Sequence, residues 1–125
     1  MDGAIDTAFV NVVAVVPYLI MKTAALGRGK AKDSYDIYFV VKHYIGGVDS
    51  LASEFRSVAD KPIVLEMKEK LQDKFAAELH SGPQDVADFL LLNDKDEIAM
   101  IKRDAYEQIN ALLKKIYSWI YPSGC

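Results

Sequence analysis

The sequence predicts a mostly α-helical, bundle-like single domain of five to six helices over residues 1–125, with room for one short N-terminal β-strand. Two apolar stripes at helical spacing carry this reading. One comprises Val64, Met67, Leu71, Phe75 and Leu79; the other comprises Ile98, Ile101, Ala105, Ile109, Leu112, Ile116 and Trp119. The third observation is punctuation: Pro17, Pro62 and Pro83 stand where helices can begin, and Gly27 and Gly46-Gly47 where they can end. With 51% hydrophobic and 26% charged residues, the chain has the composition of one globular unit.

Taken in order, residues 7–16, "TAFVNVVAVV", are β-branched and read as a strand. An isolated strand leaves backbone groups unpaired, so either the segment becomes helix here or its sheet lies in a missing portion or in another chain. Pro17 opens a helix over residues 18–26 that stops at Gly27, with Gly29 in the loop. The second helix spans residues 32–44, and Asp33 in its first turn favours the helix dipole. Asp49 or Ser50 caps a short third helix reaching Val58. Pro62 opens the fourth, "HSGPQD" breaks it with His80 at its C-terminal end, and Pro83 opens a fifth through Phe89 and Leu90. Asp94 with Glu97 resembles a capping box ahead of a last helix running to Trp119. Lys102, Arg103, Glu107, Lys114 and Lys115 occupy its polar side. Met21, Met67 and Met100 read as core fillers, and Tyr117, Trp119 and Tyr121 as docking aromatics.

The totals exclude several classes. A formal charge of −3 disfavours wholesale binding of nucleic acid. Cys125 is the only cysteine, so no internal disulfide forms, which fits a reducing cytoplasm. With only His43 and His80 besides, a zinc centre lacks ligands. The apolar run over residues 8–21 is short of the roughly 20 residues that span a bilayer, and Asn11 and Pro17 interrupt it. No basic segment precedes it as in a signal peptide. The expectation is therefore no membrane association.

The candidate site lies in "MKTAALGRGKAKDSYDIYFVVKHY", residues 21–44, where Lys22, Arg28, Lys30 and Lys32 precede Asp33 and Asp36. On a helix, Lys32, Asp33, Asp36, Val40 and His43 share about one-third of the circumference. Tyr35, Ile37, Tyr38, Phe39, Val41 and Tyr44 fill most of the rest, so the helix reads as largely buried with one polar stripe. Two readings are open. Lys32 and Asp36 form an i,i+4 pair, and a stripe facing water needs nothing more. Alternatively, the four basic residues hold a polyphosphate, while Asp33 or Asp36 orients a basic side chain, helps a metal or accepts a proton. No Gly-rich phosphate loop, Ser-His-Asp set or metal-spaced set accompanies them.

The segment "YLIMKTAALGRGKAKDSYDIYFVVKHY" resembles the downstream motifs of AbiEii-type nucleotidyltransferases, the toxin-like branch of that superfamily. Leu19, Lys22, Ala25, Leu26, Arg28, Lys30, Lys32, Asp33, Asp36, Ile37 and Tyr38 carry the resemblance, and a weaker one continues through "GGVDSLASEF". The resemblance implies the helical C-terminal part of such a protein. It implies that Lys22 contacts nucleotide phosphates beside Arg28, Lys30 and Lys32. It also implies that Asp33 is the active-site acid and that Asp36 completes or supports the geometry. The family's Gly-Ser motif followed by D-x-D, which holds the magnesium of the nucleoside triphosphate, has no counterpart. No Gly-Ser occurs, and "NDKDE" at Asp94 and Asp96 reads as a helix cap. The expectation is a helical portion without its catalytic half, inactive alone and holding no metal itself. Mg2+ and a nucleoside triphosphate belong to the full architecture. The competing expectation is an interaction module that self-associates, or docks on a separate catalytic chain, through the apolar segment from Phe9 to Val16.

Overall fold

The apolar stripes fold as helices that bury them. A computed structural model describes residues 14–28 and 30–120, with side chains as far as Ser118. Among these residues there are six α-helices: α1 (Val15–Ala24), α2 (Ala31–His43), α3 (Gly47–Ser53), α4 (Pro62–Lys74), α5 (Ser81–Phe89) and α6 (Lys95–Ile120). Short 3-10 turns cover Ala25–Arg28 and Arg56–Val58. The architecture is a mostly α bundle-like domain, with no strand among the described residues. The strand expected over residues 7–16 does not include Val15 and Val16, which are helical. Val15, Leu19 and Thr23, at four-residue spacing, are all buried, and that burial overrides the β preference of the valines. Residues 7–13, Gly29, the tail 121–125 and the side chain of Trp119 lie outside the described residues.

The long α6 is the spine, about 39 Å for its 26 residues. It packs against α2, α3, α4 and α5. Its Ala105, Ile109, Leu112, Leu113 and Ile116 are buried, each large side chain contributing about 2 kcal/mol of hydrophobic stabilisation. Its start is set by Asp94, whose carboxylate accepts the Glu97 backbone N–H at 3.0 Å. In α4, Val64, Met67 and Leu71 are buried, as is Phe75 just beyond its end. Leu79 leaves the stripe and is exposed, because the helix ends at Lys74 and Phe75 turns away from helical geometry.

Buried against α1, α3, α5 and α6, α2 hides Ile37, Tyr38, Val40 and Val41. Val40 is therefore a core residue and not part of the charged stripe. The third helix is not capped by Asp49 or Ser50. Gly46, at φ 91°, precedes α3, and a Cβ there would lie 2.6 Å from the Ser50 Cβ. Asp49 falls in the first turn instead. α5 starts at Ser81, two residues before Pro83, so His80 stands at an N-terminus and not at the end of α4. Gly82 permits this close start, since a Cβ would lie 2.7 Å from the Lys74 carbonyl oxygen. Met67 is a core filler, but Met21 and Met100 are exposed. No helix among the described residues is long and apolar enough to cross a membrane.

Candidate functional site

Leu26 buries itself in the 3-10 turn Ala25–Arg28, and this turn sends the chain back so that the last turn of α1 faces the first turns of α2. Lys22 crosses that gap. Its Nζ lies 2.8 Å from Asp36 Oδ2 and 3.6 Å from Asp33 Oδ1. Lys32, one turn ahead of Asp36 on the same helix, donates to both of its carboxylate oxygens at 2.9 and 3.1 Å. Asp36 thus accepts from two lysines. The Lys22, Asp33 and Asp36 side chains are only 21%, 13% and 14% exposed, whereas Lys32 is largely in water. The Lys22 ammonium also lies 5.9 Å from the Tyr18 ring centroid.

Electrostatics follow from the contacts. The hydrogen bond to Asp36 pushes the Lys22 pKa above its ordinary value; partial burial opposes this, and the charges of Asp36 and Asp33 add to it. Lys22 is a fixed cation at neutral pH and cannot serve as a base. Arg28, at the end of the turn, and Lys30, just before α2, are exposed and form no ion pair among the described residues. The fold therefore joins four of the six expected residues, Lys22, Lys32, Asp33 and Asp36, into a charge-balanced cluster. The other two, Arg28 and Lys30, supply the surplus positive charge beside it.

Among the described residues no group of three or more His, Cys, Asp or Glu side chains is placed to hold a metal ion. Mg2+ requires near-octahedral oxygen ligation. At Asp33 and Asp36 it would have to displace Lys22, so these two carboxylates do not fit a metal as they stand. Asp94 is occupied as the α6 cap.

Three polar features elsewhere escape a reading of spacing alone. Lys68 on α4 is 1% exposed, its Nζ lies 3.7 Å from the Tyr117 ring centroid, and it has no hydrogen-bond partner among the described residues. Burial pushes its pKa down. Its position between Val64 and Leu71 on the buried stripe was the signal available. Second, the Tyr38 hydroxyl and Lys42 ammonium both donate to Asp104 of α6. Burial, and then the bond to Asp104, push the Tyr38 phenol up. Burial alone would raise Asp104, but hydrogen bonds from Lys42, Tyr38 and Gln108 outweigh it and hold the carboxyl below its ordinary range. Third, Ser34 donates to Asp85 at 3.0 Å, and Lys74 lies 3.1 Å from the same carboxylate, tying α2 and α4 to α5. These partners are separated by many residues and carry no local spacing signal. His43, exposed, lies with its ring centroid 4.5 Å from that of Phe39, tilted by 42°, and belongs to an aromatic row with Tyr35 and Phe89, not to the ionic cluster. No family model matches the chain, and no curated protein and no solved structure matches it either.

Proposed function

We propose that the chain is a nucleotidyltransferase-like helical domain whose α1–α2 turn forms one wall of a nucleotide-phosphate site. The carboxylates that hold the metal would come from another polypeptide segment or chain. The observation that carries this reading is Lys22 reaching across from α1 to Asp33 and Asp36 at 3.6 and 2.8 Å, with Arg28 and Lys30 exposed beside it. A solvated stripe would need only the Lys32–Asp36 pair on one helix. A contact between residues 14 positions apart, mostly shielded from water, fixes the geometry of the turn instead.

Within this reading the roles divide. Arg28, Lys30 and Lys32 are the cations available to phosphate oxygens. Lys22 is aligned by Asp36 and Asp33, and contacts phosphate only when the incoming anion competes with Asp36. Asp33, bonded less closely than Asp36, is the carboxylate freer to act on a substrate. Nucleotidyl transfer relies on positioning and charge neutralisation, so this half would supply binding and orientation while remaining inactive alone.

Backbone amide shifts followed during titration with ATP, GTP and CTP in the presence of Mg2+ test the proposal. Shifts concentrated between Lys22 and Asp36 at millimolar nucleotide, and lost in the Arg28→Ala/Lys30→Ala variant, are expected. Amides in that segment that stay unmoved would refute the site.

A further inference from the structure

The junction between α5 and α6 breaks a local rule. Leu91 has φ 56°, the left-handed conformation in which helices usually end on glycine, and its side chain is 82% exposed. A chain that needed only a helix stop would gain by placing glycine there. Two grooves flank this point and share Leu92. The larger, of about 530 Å³, opens between α2, α5 and α6, with Leu90, Leu92, Met100 and Ile101 as its apolar surface. Met100 is 71% exposed. The smaller, of about 260 Å³, runs along the end of α5 past Leu91.

The unpaired charge of the larger groove is acidic. Its charged lining is Glu97, Asp104 and Glu107 against Lys42 and Arg103. The groove's own cations are already engaged: Lys42 with Asp104, and Arg103 with Glu78 at 3.6 Å. Glu97 and Glu107 line the groove, form no ion pair among the described residues, and stand about 15 Å apart along α6.

We propose that this groove is a docking site for a basic amphipathic helix of a partner protein. The apolar face of that helix covers Leu90, Leu92, Met100 and Ile101 together with Leu91. Two Lys or Arg residues about three turns apart meet Glu97 and Glu107. A helix suits the site because it satisfies its own backbone while presenting apolar and basic residues on one face, and strand addition has no sheet edge to join among the described residues. The unpaired glutamates repel an anionic membrane surface.

The test uses the full chain and two fluorescein-labelled 16-residue amphipathic helices that share one leucine face. One carries lysines three turns apart; in the other these are glutamates. Fluorescence anisotropy should give saturable binding of the lysine peptide only. Glu97→Lys/Glu107→Lys should weaken it about tenfold, as two rim pairs allow, and Met100→Asp should abolish it. Leu91→Gly is the informative variant: it should raise Tm by about 3 °C by relieving the backbone while weakening the peptide severalfold, an outcome that loss of folding cannot mimic. Equal binding of both peptides, no saturation at millimolar lysine peptide, or a Met100-dependent dimer of the chain in sedimentation would each overturn the proposal.

Discussion

Lys22 and Lys68 lie on helices that pack against each other, α1 and α4, and the fold treats their ammonium groups in opposite ways. Lys22 is met by two carboxylates and raised in pKa; Lys68 is more deeply buried, faces the Tyr117 ring without a hydrogen-bond partner among the described residues, and is lowered. A cation held by converging acids has its position specified, and that is what a binding wall requires. A cation kept in the core by its packed stem and an aromatic face is a stability cost that the rest of the bundle tolerates. The difference separates a built polar site from a buried charge that nothing uses.

The sharpest way to break the comparison is to make Lys22 resemble Lys68. The Asp33→Ala/Asp36→Ala double variant removes both acids and leaves a mostly shielded ammonium without a carboxylate. A loss of about 2 kcal/mol is expected, in the range of charged hydrogen bonds and of broken partly buried pairs. Urea unfolding at pH 7 measures it. A loss within about 0.5 kcal/mol, typical of an ordinary surface site, would mean that the cluster does not fix the α1–α2 turn.

The converse change removes the charge at position 68. Lys68→Met keeps an unbranched stem, sheds a desolvation cost of several kcal/mol and forfeits a cation–π contact of about 2 kcal/mol, so a net gain of about 1 kcal/mol is expected at neutral pH. The gain should depend on pH. The folded-state pKa of Lys68 lies below its unfolded value of about 10.4. Between those two values the unfolded chain holds a proton that the folded one has lost, so the parent protein gains stability as pH rises. The advantage of methionine should therefore shrink toward pH 10.4. Lys22 has the opposite sign: its raised pKa gives stability that is complete below about 10.4 and declines as pH rises through its folded value. Urea midpoints for parent and Lys68→Met at pH 7 and 10 decide this, and a difference that does not narrow would contradict it.

The same contrast explains how much was legible in the sequence. The helices, the Asp94 cap and the buried faces of α4 and α6 follow from periodicity and local capping, which act over a few residues. Lys22, Lys32, Asp33 and Asp36 could be singled out because they crowd one short segment across one turn. Lys68 was passed over because residue type outweighed position, although its spacing from Val64 and Leu71 placed it on the buried face. Tyr38–Lys42–Asp104 and Ser34–Asp85–Lys74 were invisible because tertiary packing alone makes them neighbours. Helix starts were displaced where backbone fit decided them: Gly46 takes a left-handed turn tight against Ser50 of α3 itself, and Gly82 lets α5 begin against Lys74 and Phe75 at the end of α4.

The smallest change tests whether the cluster serves binding more than folding. Lys32 is 61% exposed, and Asp36 keeps Lys22 when Lys32 is gone. Lys32→Ala should therefore cost only about 0.3 kcal/mol of stability, the value of an exposed i,i+4 pair. Yet Lys32, exposed and able to donate to a phosphate as well as to Asp36, is one of three cations open to the proposed phosphate site without moving Lys22. Its loss should weaken ATP in the amide titration severalfold, with the shifts of residues 22–36 needing correspondingly more nucleotide. Equal loss in the two measurements would make Lys32 a helix-stabilising residue only. A clear effect on nucleotide beside an almost unchanged urea midpoint would assign it to the ligand, because the i,i+4 pair with Asp36 is the structural role that the urea midpoint reads.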